Sequence, residues 1–122
     1  MELTVNTAIR SRLASAIRAI LDNELHERLW LQGRRLTPAE ESFEDVVLFV
    51  IDELATSDPK TLVGHVLLDE GELEAFQRLS GALESLVDSI EPSATFAEVD
   101  TAGSIWRECI SAASELRDRM RA

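Results

Sequence analysis

A chain of 122 residues, 45% hydrophobic and 29% charged, is long enough to form one globular domain with a core of its own. Its formal net charge of −11 disfavours nucleic acid as a partner, because an acidic surface repels the phosphate backbone. The single cysteine, Cys109, rules out an internal disulfide and a cysteine-based zinc site.

Two further sequence features bear on where the protein resides. No apolar stretch approaches the roughly 20 residues that a membrane span needs. The first residues also lack the basic region followed by an apolar region that marks a secretion signal. We therefore expect a single helical domain over residues 1–122, located in the cytoplasm and without a membrane partner.

The acidic residues are concentrated in the middle of the chain. Residues 37–100 carry sixteen acidic side chains against two basic ones. Residues 1–36 carry six arginines against four acids, and residues 101–122 carry four arginines against three acids. This distribution has two interpretations. Either the terminal helices dock beside the acidic middle, or the middle forms a surface that receives a basic partner.

The longest apolar run, residues 46–51, lies inside a helical pattern that opens at Thr37-Pro38-Ala39-Glu40, a sequence typical of a capping box. At 100° per residue the pattern predicts one apolar face made of Phe43, Val46, Val47, Val50, Ile51 and Leu54. Leu48 and Phe49 would point to the two flanks. This indicates a central helix with neighbours around most of it. The alternative is a helix that offers Phe49 to a partner.

The remaining pattern predicts four further helices. The first runs from Thr4 or Asn6 to about Gln32, with a bend near Asp22 as an alternative. A short helix follows from Pro59 to about Leu68, and a long one spans about Glu70 to Ile90. Residues 95–98 either start the last helix directly or form a short turn, in which case that helix starts near Asp100. No segment shows the sustained alternation of apolar and polar residues that is typical of a β-strand. The fold class predicted is an all-α, single-domain bundle of about five helices, four long and one short, around the central apolar helix.

The histidines and the cysteine offer little catalytic chemistry. Asp22, His26 and Trp30 are spaced four residues apart, which permits an Asp–His contact but supplies no third metal ligand. We expect His26 to be partly exposed and hydrogen-bonded, and His65 to face solvent. Cys109 lies on the apolar face of the last helix, where an inert thiol is the ordinary outcome. We therefore predict no catalytic residue, no resident metal and no cofactor.

Two pairs of carboxylates provide the alternative. Glu41 and Glu44 precede Asp69 and Glu72, and each pair has its two acids three residues apart. Such pairs on facing helices can bind magnesium through oxygen ligands. The arrangement resembles the helical nucleoside triphosphate pyrophosphatases, and this resemblance implies magnesium as cofactor with Glu41, Glu44, Asp69 and Glu72 as its ligands. Acids near helix starts also have a purely structural explanation, because they complement the helix dipole.

The function predicted is a non-enzymatic, acidic interaction or adaptor module that binds or neutralises a basic protein. Toxin-neutralising immunity proteins offer an analogy only. The alternative is a magnesium-dependent, all-α hydrolase similar to the nucleoside triphosphate pyrophosphatases. The oligomeric state stays open. Because the middle of the chain is strongly acidic, we expect any stable dimer to form through the first or last helix.

Overall fold

The computed structural model describes residues 6–38, 40–56, 58–90 and 96–121, and the chain is an all-α bundle, as predicted. Within these residues no strand forms, and Val63 and Leu67 make an isolated bridge. The helices are α1 (Thr7–Leu21), α2 (Asn23–Leu25) with a π-helical extension (His26–Leu31), α3 (Phe43–Val47) with a π-helical extension (Leu48–Leu54), α4 (Pro59–Leu62), α5 (Glu70–Ile90), a 3-10 turn (Phe96–Glu98) and α6 (Ser104–Arg121).

The first predicted helix is broken at Asp22, which confirms the alternative of a bend there. Asp22 has an extended backbone, with φ −97° and ψ 96°. Its carboxylate accepts a hydrogen bond from the Leu25 amide at 3.1 Å, so the residue ends α1 and caps α2. The second segment ends where predicted, because Gly33 takes a φ of 72° that favours glycine.

The predicted start of the central helix is wrong. The helix begins at Phe43, where Ser42 and Asp45 form a reciprocal capping box. Glu40 serves a different purpose, since its carboxylate pairs with Arg28 and accepts the Leu36 amide at 2.7 Å. Arg28 and Leu36 lower the pKa of Glu40 to about 2. Ala39 lies outside the described residues.

The face predicted for the central helix (residues 43–54) is only partly correct. The buried side chains are Phe43, Val46, Phe49, Val50 and Leu54, whereas Val47 and Ile51 are half-buried. The π-helical extension explains the difference, because i→i+5 bonding shifts residues off the 100° pattern and brings Phe49 and Leu54 to the same side. The flank left open therefore belongs to Leu48, which is 45% exposed.

The predicted short helix is shorter than expected. Asp58 caps it through the Lys60 amide at 2.9 Å and Pro59 occupies its first turn, as the sequence indicates. The helix nevertheless ends at Leu62, because the chain turns at Gly64 with a φ of 96°. This turn lets Val66 and Leu67 enter the core.

The two long helices α5 and α6 pack against each other, and α1 packs on α6. The α5 helix has the predicted limits, with Asp69 accepting the Glu72 amide at 2.8 Å. The α6 helix begins at Ser104, later than predicted, and buries Trp106, Cys109, Ala112, Ala113 and Leu116. No helix in the described residues is both long enough and apolar enough to cross a membrane.

Candidate functional site

Glu72, one of the four carboxylates of the magnesium alternative, lies inside the protein in an ion pair with Arg10. Its side chain is buried, and its two oxygens accept the Nη1 and Nη2 groups of Arg10 at 2.7 and 2.9 Å. Glu72 also accepts the Leu68 amide at 2.9 Å. Arg10 donates further to the carbonyl oxygens of Val66 at 3.0 Å and Met120 at 3.4 Å. This bidentate pair joins α1, α5, the turn after α4 and the end of α6.

The other three carboxylates do not gather around Glu72. Glu41 is half-buried, with an oxygen 3.6 Å from Arg12 Nε, and desolvation raises its pKa. Glu44 is exposed, and Asp69 is an exposed cap of α5. Arg10 and Arg12 are two residues apart and point to different sides of α1. Across the described residues, no three His, Cys, Asp or Glu side chains form a group that could hold a metal ion.

His26 is buried in a cluster of aromatic rings, contrary to the expectation of partial exposure. Its ring stacks on Trp30 at 4.2 Å and lies 5.3 Å from Phe96 and 5.5 Å from Trp106. Its Nε2 atom is 2.7 Å from the Ala19 carbonyl oxygen, which can only accept, so Nε2 carries the hydrogen. Asp22 caps α2 and is not a direct partner of the ring. His26 is therefore a core residue.

Burial lowers the pKa of His26, and this predicts a loss of stability in mild acid. Desolvation outweighs the opposing effects of the Ala19 carbonyl and the Asp22 charge. The unfolded chain binds a proton below about pH 6.5, whereas the folded chain resists it. The free energy of unfolding should thus fall by at most about 1.4 kcal/mol per pH unit between pH 6.5 and the folded pKa.

Urea unfolding at several pH values tests this expectation, with His26→Phe as the comparison. The phenylalanine keeps an aromatic ring in the cluster but cannot bind a proton. Its stability should stay flatter than that of the natural chain from pH 7 to pH 5. Parallel curves for the two proteins would contradict a role for His26.

Cys109 and His65 occupy positions without catalytic geometry. Cys109 is fully buried, and burial raises the pKa of its thiol to about 12, so the thiolate needed for nucleophilic attack is not formed at neutral pH. His65 was expected to face solvent, but its side chain is half-buried. Its backbone oxygen accepts the Asn6 amide at 2.5 Å, which ties the turn after α4 to the start of α1.

The outer side of the central helix carries the most distinctive surface. Leu48 is exposed and the half-buried Val47 and Ile51 lie beside it. We call this surface the acidic face, and it consists of Glu44, Asp45, Val47, Leu48, Ile51 and Asp52. Its three carboxylate residues are exposed. Among the described residues, no basic group lies within 4.0 Å of any of these three carboxylates.

No family model, curated protein or solved structure matches the chain. The chemistry of the acidic face is therefore derived from its own side chains. Its apolar strip can accept apolar side chains from a partner, and its carboxylates can bind lysine or arginine beside them.

The sequence pattern placed Leu48 and Phe49 on opposite flanks of a central helix, and only the alternative offered Phe49 to a partner. Phe49 is in fact buried, and the Arg12 guanidinium lies 4.2 Å from the centre of its ring. At 100° per residue Leu48 and Phe49 lie at equal angles from the predicted face, so the pattern alone does not show which of the two is covered. The neighbouring helices decide it by burying Phe49 and leaving Leu48 exposed.

Proposed function

We propose that this protein is a non-enzymatic interaction module that binds a basic protein partner through the acidic face. The observation that carries the proposal is the exposed Leu48 between carboxylates that have no basic group within 4.0 Å in the part of the chain that the structure describes. A surface leucine alone is ordinary, but an apolar strip bordered by charge of one sign favours a partner of the opposite sign.

The partner best suited to this surface is an amphipathic helix with a basic face. Two adjacent turns of the central helix present Glu44, Leu48 and Asp52 at intervals of four residues. A partner helix can place apolar side chains on Leu48 and lysine or arginine on either side. Attraction between the net charge of −11 and a basic protein also speeds association, more so at low salt.

We place this interaction in the cytoplasm, where the lone buried thiol of Cys109 stays reduced. The magnesium-dependent hydrolase gains no support from the placement of its four residues. Glu72 is already neutralised by Arg10, and Glu41 lies at Arg12, on another side of α1. In each of the two carboxylate pairs an arginine therefore reduces the negative charge that would attract magnesium.

The test is site-specific photo-crosslinking of the full chain in its own cells. A photoreactive side chain replaces Leu48 in one variant and Leu68, 54% exposed and outside the acidic face, in the control. Position 48 should capture one protein that position 68 does not. The captured protein should carry a lysine- or arginine-rich helix at the crosslinked site.

Binding measurements with the purified partner then test whether Leu48 and the carboxylates of the acidic face form the contact. Leu48→Glu and Asp52→Lys should weaken binding by about tenfold or more, and Leu68→Glu should not. Affinity should fall as salt rises. Equal binding by Leu48→Glu and Leu68→Glu, or an acidic crosslinked segment, would overturn the proposal. So would magnesium-dependent hydrolysis of a nucleoside triphosphate that is lost in Glu44→Gln and Glu72→Gln.

A further inference from the structure

A groove between α1 and the end of α6 is lined, among the described residues, by arginines and by no carboxylate. Its volume is about 540 Å³, and its lining includes Ala14, Ile17 and Met120 with the arginines Arg10, Arg18 and Arg117. A volume of this size lies within the range of small-molecule sites, about 300–1,000 Å³. The groove is far in sequence from the acidic face and does not depend on the proposed function.

The arginines of the groove differ in how their charge is balanced. Arg10 is neutralised by the buried carboxylate of Glu72. Arg18 donates to the Ser15 hydroxyl at 3.1 Å, and within the described chain no carboxylate lies within 4.0 Å of it. Arg117 reaches the exposed carboxylate of Asp118 at 3.4 Å, a surface pair of little strength.

Arg12, Arg28 and Arg78 each contact two carboxylates, so little of their charge is open to a ligand. Arg18 and Arg117 border one groove whose apolar lining includes the half-buried Ala14 and Met120, above the buried Ile17. Positive charge beside an apolar floor is complementary to a ligand with an anionic head and an apolar tail.

We propose that this groove binds a single-chain fatty carboxylate. The carboxylate head would bind the guanidinium groups of Arg18 and Arg117, and the alkyl chain would cover the half-buried Ala14 and Met120. A docked helix, about 10 Å across, would need more volume than the cavity offers along the three turns of α1 that line it. A second copy facing its own groove would bring the same arginines together, which like-charge repulsion opposes.

Calorimetric titration of the full chain with octanoate tests the site. Octan-1-ol and octylammonium provide neutral and cationic ligands with the same chain length. Octanoate should bind most tightly and octylammonium least. Arg18→Gln and Arg117→Gln should each weaken octanoate binding by about tenfold. The control is Arg107→Gln, an exposed arginine on α6 that does not line the groove, and it should leave binding unchanged.

A second variant tests the tail independently of the head. Ala14→Leu adds bulk to the floor and should weaken octanoate and octan-1-ol alike. Absence of octanoate binding, equal binding of octylammonium, or equal effects of Arg18→Gln and Arg107→Gln would each overturn the proposal. Sedimentation without ligand gives the remaining outcome, since a dimer lost in Arg18→Gln but not in Arg107→Gln would assign the groove to a second copy.

Discussion

Replacing Val50 by aspartate should unfold the domain. Val50 is fully buried on the inner side of the central helix, so a carboxylate there would lose its contact with water. Burying an unpaired charge costs several kcal/mol, against a total stability of roughly 5–15 kcal/mol for a domain of this kind. Circular dichroism along a urea series would measure the lost helix content and the shift of the midpoint.

Val47→Asp is the matched control on the same helix. Val47 is half-buried beside the exposed Leu48, so its aspartate can reach water and the loss of stability should be much smaller. Glu84→Ala, on the exposed side of α5, should change the free energy of unfolding by about 0.5 kcal/mol or less. Equal urea midpoints for Val50→Asp and Val47→Asp would show that the inner and outer sides of the central helix are wrongly assigned.

Glu72→Ala should be the most damaging substitution of a charged residue. It removes two hydrogen bonds to Arg10 and one to the Leu68 amide, and leaves the guanidinium with a side-chain exposure of only 16%. Breaking a buried ion pair by deleting one partner costs about 3–5 kcal/mol. We expect about 3 kcal/mol here, because Arg10 keeps the Val66 and Met120 carbonyls as acceptors. Urea unfolding measures the change.

Two further variants distinguish the effect of breaking the ion pair from the effect of replacing glutamate by alanine in a helix. Glu74→Ala, an exposed acid on the same helix, should have little effect. Removing both charges as Arg10→Met with Glu72→Leu should restore much of the stability lost in Glu72→Ala, because no unpaired charge then remains buried. A double variant less stable than Glu72→Ala would show that the loss in Glu72→Ala does not come from an unpaired guanidinium.

The sequence was sufficient for the elements that depend on local signals. The limits of α5 follow from Asp69 as cap and from a regular apolar period through Ile90. The stop at Gly33 and the cap at Asp58 are equally local, since each needs only its own backbone conformation or the next amides. Such caps and stops depend only on residues within one helical turn, so the rest of the fold does not change them.

The sequence did not predict the contacts that join residues far apart along the chain. Glu40 looked like part of a capping box, but Arg28, twelve residues earlier, takes its carboxylate, and Ser42 starts the helix instead. Glu72 was considered only as a helix-start charge or, in the alternative, as a magnesium ligand, whereas it pairs with Arg10, 62 residues away. The groove of Arg18 and Arg117 likewise exists only once α1 lies beside α6. None of these contacts leaves a periodic trace in the sequence.

The Arg10–Met120 contact has a consequence for the order of folding. It joins groups 110 residues apart, whereas α5 and α6 are neighbours along the chain and pack extensively on each other. Closing the longer loop costs more conformational entropy, so α5 and α6 should pair first and α1 should dock late. The same ordering governs partial opening of the native state. Release of α1 alone would separate Glu72 from Arg10 while the other helices stay packed, and losing this ion pair raises the energy of the intermediate and makes unfolding more nearly all-or-none.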